Sequence, residues 1–293
     1  MAGSAVPPIT HPPTAVADDT GARDHGGSGS ARTTGTLEIV TASSLLRTAR
    51  PANLRDVGGL STVEGFRVRP GLLYRGDAPQ PGDPRTARAV GLDAALTWPP
   101  AVVIDLRSEV ETGPSHPLDD VARVHHIPLG ASLAPEKVAA TPTADRDITW
   151  AYRLLVTEAG PSLARIVGLV AQAPGPVFVH CAAGKDRTGI VIGTVLAALG
   201  VPREQIVADY LRTNDNLDAL WARLRAAGAP EPDHDSLLGV EAAALEVVLD
   251  ELADRPGGVH GRLLDAGTDP SDLRLLSERL LTADDAPGRP LDA

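Results

Sequence analysis

One polar segment in the second half of the chain carries side chains that can bind and attack a phosphate. Residues 180–189 read His-Cys-Ala-Ala-Gly-Lys-Asp-Arg-Thr-Gly. Cys181 is the only cysteine of the chain, and Arg187 follows it six positions later. A guanidinium can hold two phosphate oxygens in a bidentate fork, and a thiolate is a strong nucleophile. This spacing predicts a phosphate-binding loop in which Cys181 is the nucleophile and Arg187 clamps the phosphate.

The segments on either side of this loop are apolar. Residues 176–180 form a short run that opens with proline and predicts a buried strand, whereas 190–199 are apolar nearly all round and predict a core helix. A loop between them presents backbone N–H groups at a helix N-terminus, which binds anions and favours a thiolate over a thiol. We therefore expect the backbone of Ala182, Ala183 and Gly184 to line a phosphate-binding cup.

The loop also contains candidates for the remaining catalytic tasks. Asp186 is a candidate general acid for the departing alcohol or phenol, and Thr188 is a candidate donor to the leaving sulfur. Lys185 adds a second cation, which we expect at the rim. His180 is interpreted as a structural residue that orients the loop. The competing interpretation of the cysteine is a small buried residue in a tight turn.

Composition limits the classes of function. The 293 residues are 43% hydrophobic, enough for a sizeable core, and the formal net charge is −11. An acidic chain argues against nucleic acid or an anionic membrane surface as a general partner. A single cysteine allows no internal disulfide and suits a reducing compartment. Neither an apolar run of membrane-spanning length nor a signal-peptide pattern is found, so a cytoplasmic location is expected, and the oligomeric state stays open.

The chain divides into a central domain and two tails. Residues 1–36 and 283–293 are rich in small and polar residues and are expected to be disordered, which leaves 37–282 as the folded domain. Strands are expected at 101–106 and 176–180, with a weaker candidate at 124–129, and helices at 150–170 (interrupted near 160), at 190–199 and in several stretches between 203 and 281. This order predicts an α/β fold, with a central, mostly parallel sheet flanked by helices and a helical C-terminal portion.

The loop resembles the signature of the protein tyrosine phosphatase superfamily, in which His precedes the cysteine and Arg-Thr follows it. The full string is similar to that of the bacterial subfamily that includes mycobacterial protein tyrosine phosphatase B. Other segments resemble further parts of that subfamily: Asn53–Gly59, Leu73–Arg75, Ile104–Ser108 and Asp209–Asn214. The resemblance spans residues 37–282 and implies a phosphatase domain with a cysteine-phosphatase-like fold. Members of the subfamily hydrolyse phosphotyrosine, and some also accept phosphoserine, phosphothreonine and phosphoinositides.

The resemblance implies a role for each loop residue. Cys181 forms the cysteinyl-phosphate, Arg187 is the phosphate clamp, Asp186 is an acid from within the loop, and Lys185 contacts substrate. The subfamily lacks a separate acid on a mobile Trp-Pro-Asp loop. The similar string here, Trp98–Pro100, has no aspartate and is interpreted as a structural turn.

Several residues outside the loop have two open interpretations. Asp105 and Arg107 end a predicted strand, where active sites of open α/β sheets gather. They are either substrate-binding residues or a structural ion pair that holds the 53–59 segment. The helices at 203–227 are either a lid over the pocket or ordinary surface helices.

The side chains of Asn53, Arg55 and Asp56 are expected to hold the 53–59 segment as a turn, and a functional role for them is the open alternative. Gly58 and Gly59 are expected to be turn glycines with positive φ. No metal site is predicted, because His125 and His126 are not at ligand spacing with another His or Cys, and the chemistry requires no cofactor.

The leading hypothesis is a protein tyrosine phosphatase, with dual specificity as an extension. A phosphoinositide phosphatase is the alternative within the same chemistry. Phosphoinositide-specific loops often carry two lysines, and Ala182 stands at the second such position, which favours phosphorylated proteins. An inactive phosphate-binding module and a persulfide-carrying sulfurtransferase are weaker hypotheses. The nucleophile, clamp and acid positions are all filled, and the spacing from Cys181 to Arg187 argues against a sulfurtransferase.

Overall fold

The described part of the chain contains a five-stranded sheet and a separate two-stranded sheet. The computed structural model describes residues 50–130, 147–229 and 238–283. The strands of both sheets are β1 (Arg55–Asp56), β2 (Phe66–Val68), β3 (Leu73–Gly76), β4 (Val102–Asp105), β5 (Arg123–His126), β6 (Val177–His180) and β7 (Leu281–Ala283). The sheet order is β1-β3-β6-β4-β5, with β1 antiparallel to β3 and the other pairs parallel, while β2 and β7 pair separately. The predicted α/β fold with a mostly parallel sheet is confirmed.

Helices flank the sheet and make up most of the C-terminal part of the chain. They are α1 (Ala87–Val90), α2 (Ile148–Glu158), α3 (Gly160–Gln172), α4 (Asp186–Ala198), α5 (Arg203–Leu211), α6 (Leu217–Ala226), α7 (Ala242–Ala253), α8 (Gly258–Asp265) and α9 (Pro270–Leu280), with short 3₁₀ helices at Glu109–Glu111 and Arg212–Asn216. Helix α8 was not predicted, because the glycines at 258 and 261 weaken its helical pattern.

The strand before the polar loop is buried on both faces. Val177 and Val179 belong to the main core, whereas Phe178 belongs to a smaller aromatic cluster. There it meets Trp98 edge-on, with ring centroids 5.3 Å apart. A parallel strand that is buried on both faces needs an unbroken apolar run, which explains the pattern seen in the sequence.

The helix after the loop is a core helix, as its apolar pattern predicts. Five of its side chains are at most 1% exposed: Ile190, Val191, Ile192, Val195 and Leu196. Their burial contributes on the order of 10 kcal/mol of gross transfer free energy, before the entropy of ordering is subtracted. The helix ends before Gly200, whose φ of 77° it could not accommodate. The loop is therefore fixed at both ends by buried elements.

The structure agrees with two predicted features, the helix interruption near residue 160 and the structural turn at Trp98–Pro100. Helices α2 and α3 meet at a bend of 69°, with Pro161 in the first turn of α3. The Trp98–Pro99 bond is cis, and Trp98 packs against aromatic neighbours as part of a structural turn. No single helix in the described ranges is long and apolar enough to cross a membrane, and α2 and α3 meet that test only as a bent pair.

The predicted tails are almost wholly outside the described residues. Residues 1–36 lie outside them, as do 284–293. Ala283, which was assigned to the C-terminal tail, instead pairs with Phe66 at the end of the β2–β7 ladder.

Candidate active site

The loop at 180–189 connects the carboxyl end of β6 to the first turn of α4. Its first carbonyl oxygens are held by neighbouring donors. His180 Nδ1 lies 3.1 Å from the Cys181 carbonyl oxygen, and the Ala78 N–H donates to the Ala182 carbonyl at 3.0 Å. In a trans peptide the C=O and the next N–H point in opposite directions. Fixing a carbonyl outward therefore turns the following N–H inward.

Two side chains hold the next carbonyls in the same way. Asn53 Nδ2 donates to the carbonyl oxygens of Ala183 and Gly184, each at 3.1 Å. Arg75 Nη2 also donates to the Gly184 carbonyl, at 3.1 Å. These bonds direct the N–H groups of the following residues toward the opposite side of the loop.

The result is a run of backbone donors without acceptors. In the part of the chain that the structure describes, no hydrogen bond is formed by the N–H groups of Ala182, Ala183, Gly184, Asp186 and Arg187. Unpaired donors at the start of a helix form a positive concave site that suits a phosphate. The loop thus has the donors that the predicted cup requires.

Two glycines allow the loop to take this shape. Gly184 has a φ of 66°, and a Cβ there would lie 2.2 Å from the carbonyl of Gly76 in β3. Gly189 packs against a ring, and a Cβ there would lie 2.7 Å from Cε2 of Tyr210. Any other residue would push the loop away from β3 or α4 away from Tyr210.

The predicted nucleophile lies at the base of this loop. Cys181 follows the last residue of β6 and is 2% exposed. The Thr188 hydroxyl in the first turn of α4 is fully buried and has no hydrogen-bond partner among the described residues. Leaving a buried hydroxyl unpaired costs about 1–3 kcal/mol. An unpaired donor at this position fits the predicted role of Thr188 toward the sulfur.

The predicted phosphate clamp is held by an acidic residue from another part of the chain. Arg187 Nη1 donates to Glu111 Oε2 at 2.7 Å, and Nη2 donates to Glu111 Oε1 at 2.6 Å. Although burial lowers the pKa of Arg187, the Glu111 hydrogen bonds and the nearby Cys181 charge raise it overall. The hydrogen bonds from Arg187 lower the pKa of Glu111 to about 2. Both partners are therefore charged at neutral pH.

A buried charge cluster fixes the side chains behind the loop. Asp209 in α5 accepts from Arg55 Nε at 2.9 Å and from Arg75 Nη1 at 2.7 Å. Arg55 Nη1 also donates to Asn53 Oδ1 at 2.6 Å, which turns the Asn53 amide toward the loop. Burial and the Arg75 charge lower the pKa of Arg55 to about 10. Burial alone would raise the pKa of Asp209, but the two arginines lower it.

Side-chain hydrogen bonds hold the 53–59 segment, but only one of its two glycines has a positive φ. Asp56 accepts from the Gly58 N–H at 3.2 Å and closes the turn. Gly59 has a φ of 90°, as predicted. Gly58 is a correction, since its φ is not positive. A glycine is needed there because a Cβ would lie 2.3 Å from Cα of Pro70.

The predicted acid receives a hydrogen bond from a buried tyrosine. Tyr152 in α2 donates to Asp186 Oδ1, and its hydroxyl lies 2.7 Å from the hydroxyl of Tyr210. Burial, with the Asp186 charge, raises the pKa of Tyr152 well above its usual value, so this hydroxyl keeps its proton. The Asp186 side chain is 40% exposed. A partly exposed carboxyl group with one held oxygen suits proton transfer to a bound substrate.

Lys185 does not stand at the rim as expected. Its side chain is 7% exposed, and Nζ donates to the Gly239 carbonyl at 2.5 Å. The same ammonium lies 3.6 Å from Asp186 Oδ1. Lys185 therefore connects the loop to the chain segment before α7, and its contact with substrate stays a prediction.

Asp105 and Arg107 form an ion pair at the end of β4. Arg107 Nε lies 3.0 Å from Asp105 Oδ1, and Nη2 lies 2.7 Å from Oδ2. Burial alone would raise the pKa of Asp105, but the hydrogen bonds and charge of Arg107 lower it to about 2. The 53–59 segment is held by Asp77 and Asp209 rather than by this pair. A substrate contact for the pair stays a prediction.

A second histidine lies behind the loop. His116 Nε2 is 3.0 Å from His180 Nε2, and His116 Nδ1 accepts from the Leu118 N–H at 3.1 Å. Together with Asp105, the two histidines have potential metal-ligand atoms within 4.8 Å of one another. Hydrogen bonds already engage all four ring nitrogens, with His180 Nδ1 bonded to the Cys181 carbonyl. The two histidines therefore form a hydrogen-bonded chain.

The helices at 203–227 are tied to the body of the fold by buried charges. Arg223 in α6 is 1% exposed and binds Asp77 Oδ2 and Asp83 Oδ2, each at 2.8 Å. Asp209 in α5 belongs to the cluster behind the loop. These contacts attach the two helices to the body of the fold, and both interpretations, a lid or ordinary surface helices, stay predictions.

Sequence reasoning missed several residues that shape the site. Glu111 and Tyr152 were not singled out, and Arg75 and Asp209 were quoted only as parts of similar segments. A usable signal existed for Glu111, since a partly buried arginine favours an acidic partner and this acid follows the end of a predicted strand. Tyr152 had no such signal, because it lies 34 residues from Asp186 in the chain.

Comparisons with known proteins agree with this geometry. Residues 46–282 match the model of the tyrosine phosphatase family. A protein of Cupriavidus necator that is assigned by name to the tyrosine-protein phosphatases is 35% identical over 232 residues, covering 73% of this chain and 81% of its own length. The triple specificity protein phosphatase PtpB of Mycobacterium tuberculosis is 32% identical over 264 residues, covering 73% of this chain and 91% of its own length.

Proposed function

The chain belongs to the tyrosine phosphatase family, and on that basis we propose that it hydrolyses phosphate monoesters through a cysteinyl-phosphate on Cys181. It is a phosphatase of the protein tyrosine type. One observation carries the mechanistic proposal. The loop carbonyls from Cys181 to Gly184 are held by donors around the loop, while five N–H groups have no acceptor among the described residues, those of Ala182, Ala183, Gly184, Asp186 and Arg187.

The first step transfers the phosphoryl group to sulfur. The substrate phosphate occupies the cup, with its oxygens on the loop N–H groups and on the Nε–H edge of Arg187, since Glu111 holds the terminal nitrogens. The Cys181 thiolate attacks phosphorus, so that an S–P bond forms and the P–O bond to the leaving group breaks. The leaving oxygen takes a proton from Asp186, which becomes a carboxylate.

The second step releases phosphate. Water attacks the phosphorus of the cysteinyl-phosphate and gives a proton to the Asp186 carboxylate. The S–P bond breaks, and its electron pair returns to Cys181 as a thiolate. The Thr188 hydroxyl has no hydrogen-bond partner among the described residues and is therefore available to donate to this sulfur. The products are the alcohol or phenol of the first step and inorganic phosphate.

Phosphorylated protein is the substrate class that we favour, and phosphoinositides are the second candidate. The loop has one lysine, Lys185, whose ammonium donates to the Gly239 carbonyl, and Ala182 stands where a second lysine would add charge. A polyphosphorylated inositol ring would gain little additional cationic contact from such a loop. The Mycobacterium tuberculosis relative is named a triple specificity protein phosphatase, which supports a range of substrates wider than phosphotyrosine. Rates on phosphotyrosine, phosphothreonine and phosphoinositide substrates, measured side by side, test this order.

The proposal is tested with the purified full chain on phosphotyrosine peptides. Cys181→Ser should lower kcat by about 1,000-fold or more, because it removes the nucleophile. Arg187→Lys should raise KM and lower kcat, because an ammonium lacks the planar fork that binds Glu111 at its end and leaves the Nε–H edge for phosphate. Glu109→Gln, an exposed change in the nearby 3₁₀ turn, is the control and should leave both constants unchanged. Equal phosphate release by wild type and Cys181→Ser would defeat the proposal.

A further inference from the structure

His116 and His180 form a hydrogen-bonded chain that ends on the peptide of the nucleophile. The contacts run from the Leu118 N–H to His116 Nδ1, from His116 Nε2 to His180 Nε2, and from His180 Nδ1 to the Cys181 carbonyl. The distances are 3.1, 3.0 and 3.1 Å. The Cys181 carbonyl is one of those whose outward direction turns an N–H into the cup.

Both imidazole rings are neutral at neutral pH. Burial lowers the pKa of His180 to about 3, even though the nearby Asp105 charge opposes this. Burial also lowers the pKa of His116, which faces Asp105, Arg107 and Asp119. A neutral ring has one N–H donor and one acceptor nitrogen, so each ring must adopt a single tautomer that satisfies both of its contacts.

Only one pair of tautomers satisfies every contact. The Leu118 N–H can only donate, so His116 Nδ1 must be the acceptor and its proton must lie on Nε2. His116 Nε2–H then donates to His180 Nε2, which places the His180 proton on Nδ1. The Cys181 carbonyl oxygen can only accept a hydrogen bond, and it accepts one from His180 Nδ1–H. The direction of the whole chain is thus set from the Leu118 backbone.

We propose that His116 is a positioning residue for the phosphate-binding loop, because it holds His180 in the Nδ1–H tautomer that fixes the Cys181 carbonyl. The inference rests on the proposed use of the loop in catalysis and adds a residue that touches neither substrate nor sulfur. Without the His116 donor, His180 can move its proton to Nε2, and its Nδ1 then repels the carbonyl instead of binding it.

His116 is partly exposed and lies outside both hydrophobic core clusters, so a substitution there should disturb the core little. It lies between Ser115 and Pro117 on the wall of a cavity of about 360 Å³ that also contacts Trp98. Two variants separate its two hydrogen bonds. His116→Asn retains an acceptor for the Leu118 N–H but is too short to reach His180, whereas His116→Gln places an amide donor near the original Nε2.

The primary measurement is the tautomer of His180, from nitrogen-15 NMR of the ring nitrogens in the full chain. Signals are assigned by their loss in His116→Gln and His180→Asn. In the wild type we expect His180 to be protonated on Nδ1 and His116 on Nε2. In His116→Asn we expect a shift of His180 toward the Nε2–H form, and in His116→Gln the wild-type tautomer.

The second measurement is kcat/KM on a phosphotyrosine peptide. His116→Asn should lower it about 10- to 100-fold, because small displacements of catalytic groups have effects of this size. His116→Gln should recover most of the loss, and His125→Asn, which changes a histidine outside the chain of contacts, should have no effect. A wild-type His180 protonated on Nε2, an unchanged tautomer in His116→Asn, or unchanged kcat/KM in that variant would each overturn the proposal. The tautomer result stands apart from the proposed function, which Cys181→Ser tests.

Discussion

Glu111 binds both terminal nitrogens of Arg187 through two short parallel hydrogen bonds. Glu111 is itself held, because the Ser108 N–H and hydroxyl both donate to its Oε2 at 2.8 Å. Because both terminal nitrogens of the guanidinium are hydrogen-bonded, its Nε–H side points in one fixed direction. The cup therefore has a pre-oriented cation before substrate arrives, which reduces the reorganisation needed on binding.

Glu111→Gln should weaken catalysis through this orientation. The variant replaces a charged hydrogen bond worth about 1.5–3 kcal/mol with a neutral one, so we expect kcat/KM on phosphotyrosine peptides to fall about 10- to 100-fold. Glu109→Gln in the same 3₁₀ turn is the matched control, since its side chain is exposed. Steady-state kinetics of the two variants decide the matter, and equal rates for both would show that Arg187 needs no such partner.

Tyr152→Phe should weaken catalysis by releasing the Asp186 side chain. Tyr152 donates to Asp186 Oδ1 and so holds one oxygen of this carboxyl group. Without the bond the acid is less well oriented, and small displacements of catalytic groups lower kcat/KM by about 10- to 100-fold. Tyr210→Phe acts one hydrogen bond further away and should cause a smaller loss. Steady-state kinetics on phosphotyrosine peptides measure both losses, and an unchanged kcat/KM in Tyr152→Phe would contradict a positioning role of Tyr152 for Asp186.

Asp209→Asn should destabilise the whole domain. Asp209 neutralises Arg55 and Arg75, whose side chains are 8% and 1% exposed. Removing one partner of a buried ion pair typically costs about 3–5 kcal/mol. Urea unfolding measures this loss, and Asp250→Asn is the control, because the ion pair of Asp250 with Arg203 lies at the surface and should contribute less than about 1 kcal/mol. Losses of similar size in the two variants would refute a structural role for the cluster.

Stability should fall in acid through three groups whose folded pKa values are depressed. These are Glu111 at about 2, Asp105 at about 2 and His180 at about 3. Each binds protons more readily when unfolded, with ordinary values of 4.5, 3.8 and 6.5. Their contribution is therefore complete above about pH 6.5 and is lost progressively toward about pH 2. Urea midpoints from pH 7 to pH 3 should fall in the wild type and less steeply in Glu111→Gln, whereas parallel slopes would contradict the assignment for Glu111.

The parts of the fold with strong sequence patterns were predictable. β6 and α4 are buried on all sides, so their apolar runs identified both elements and placed the loop between them. Hydrophobic patterning did not reveal β1 and β7, because strands of two and three residues are too short for a period to emerge. Helix α8 was hidden by its glycines.

The site was predictable only where its residues are close in sequence. Cys181, Asp186 and Arg187 share one loop, so their spacing alone indicated their chemistry. Glu111 is 76 residues from Arg187, and the two meet because β4 pairs with β6. Strand order is a tertiary property that depends on how helices cover the sheet, and no local pattern in this chain encodes it.

The central claim is that sulfur carries the phosphoryl group between the two steps. A rapid acid quench of the full chain with a phosphotyrosine peptide, followed by mass spectrometry of the peptide that contains Cys181, tests it most directly. We predict one added phosphoryl group on Cys181 at early times in the wild type and none in Cys181→Ser. Full turnover with an unmodified Cys181 at every quench time, or the phosphoryl group on another residue, would contradict the account.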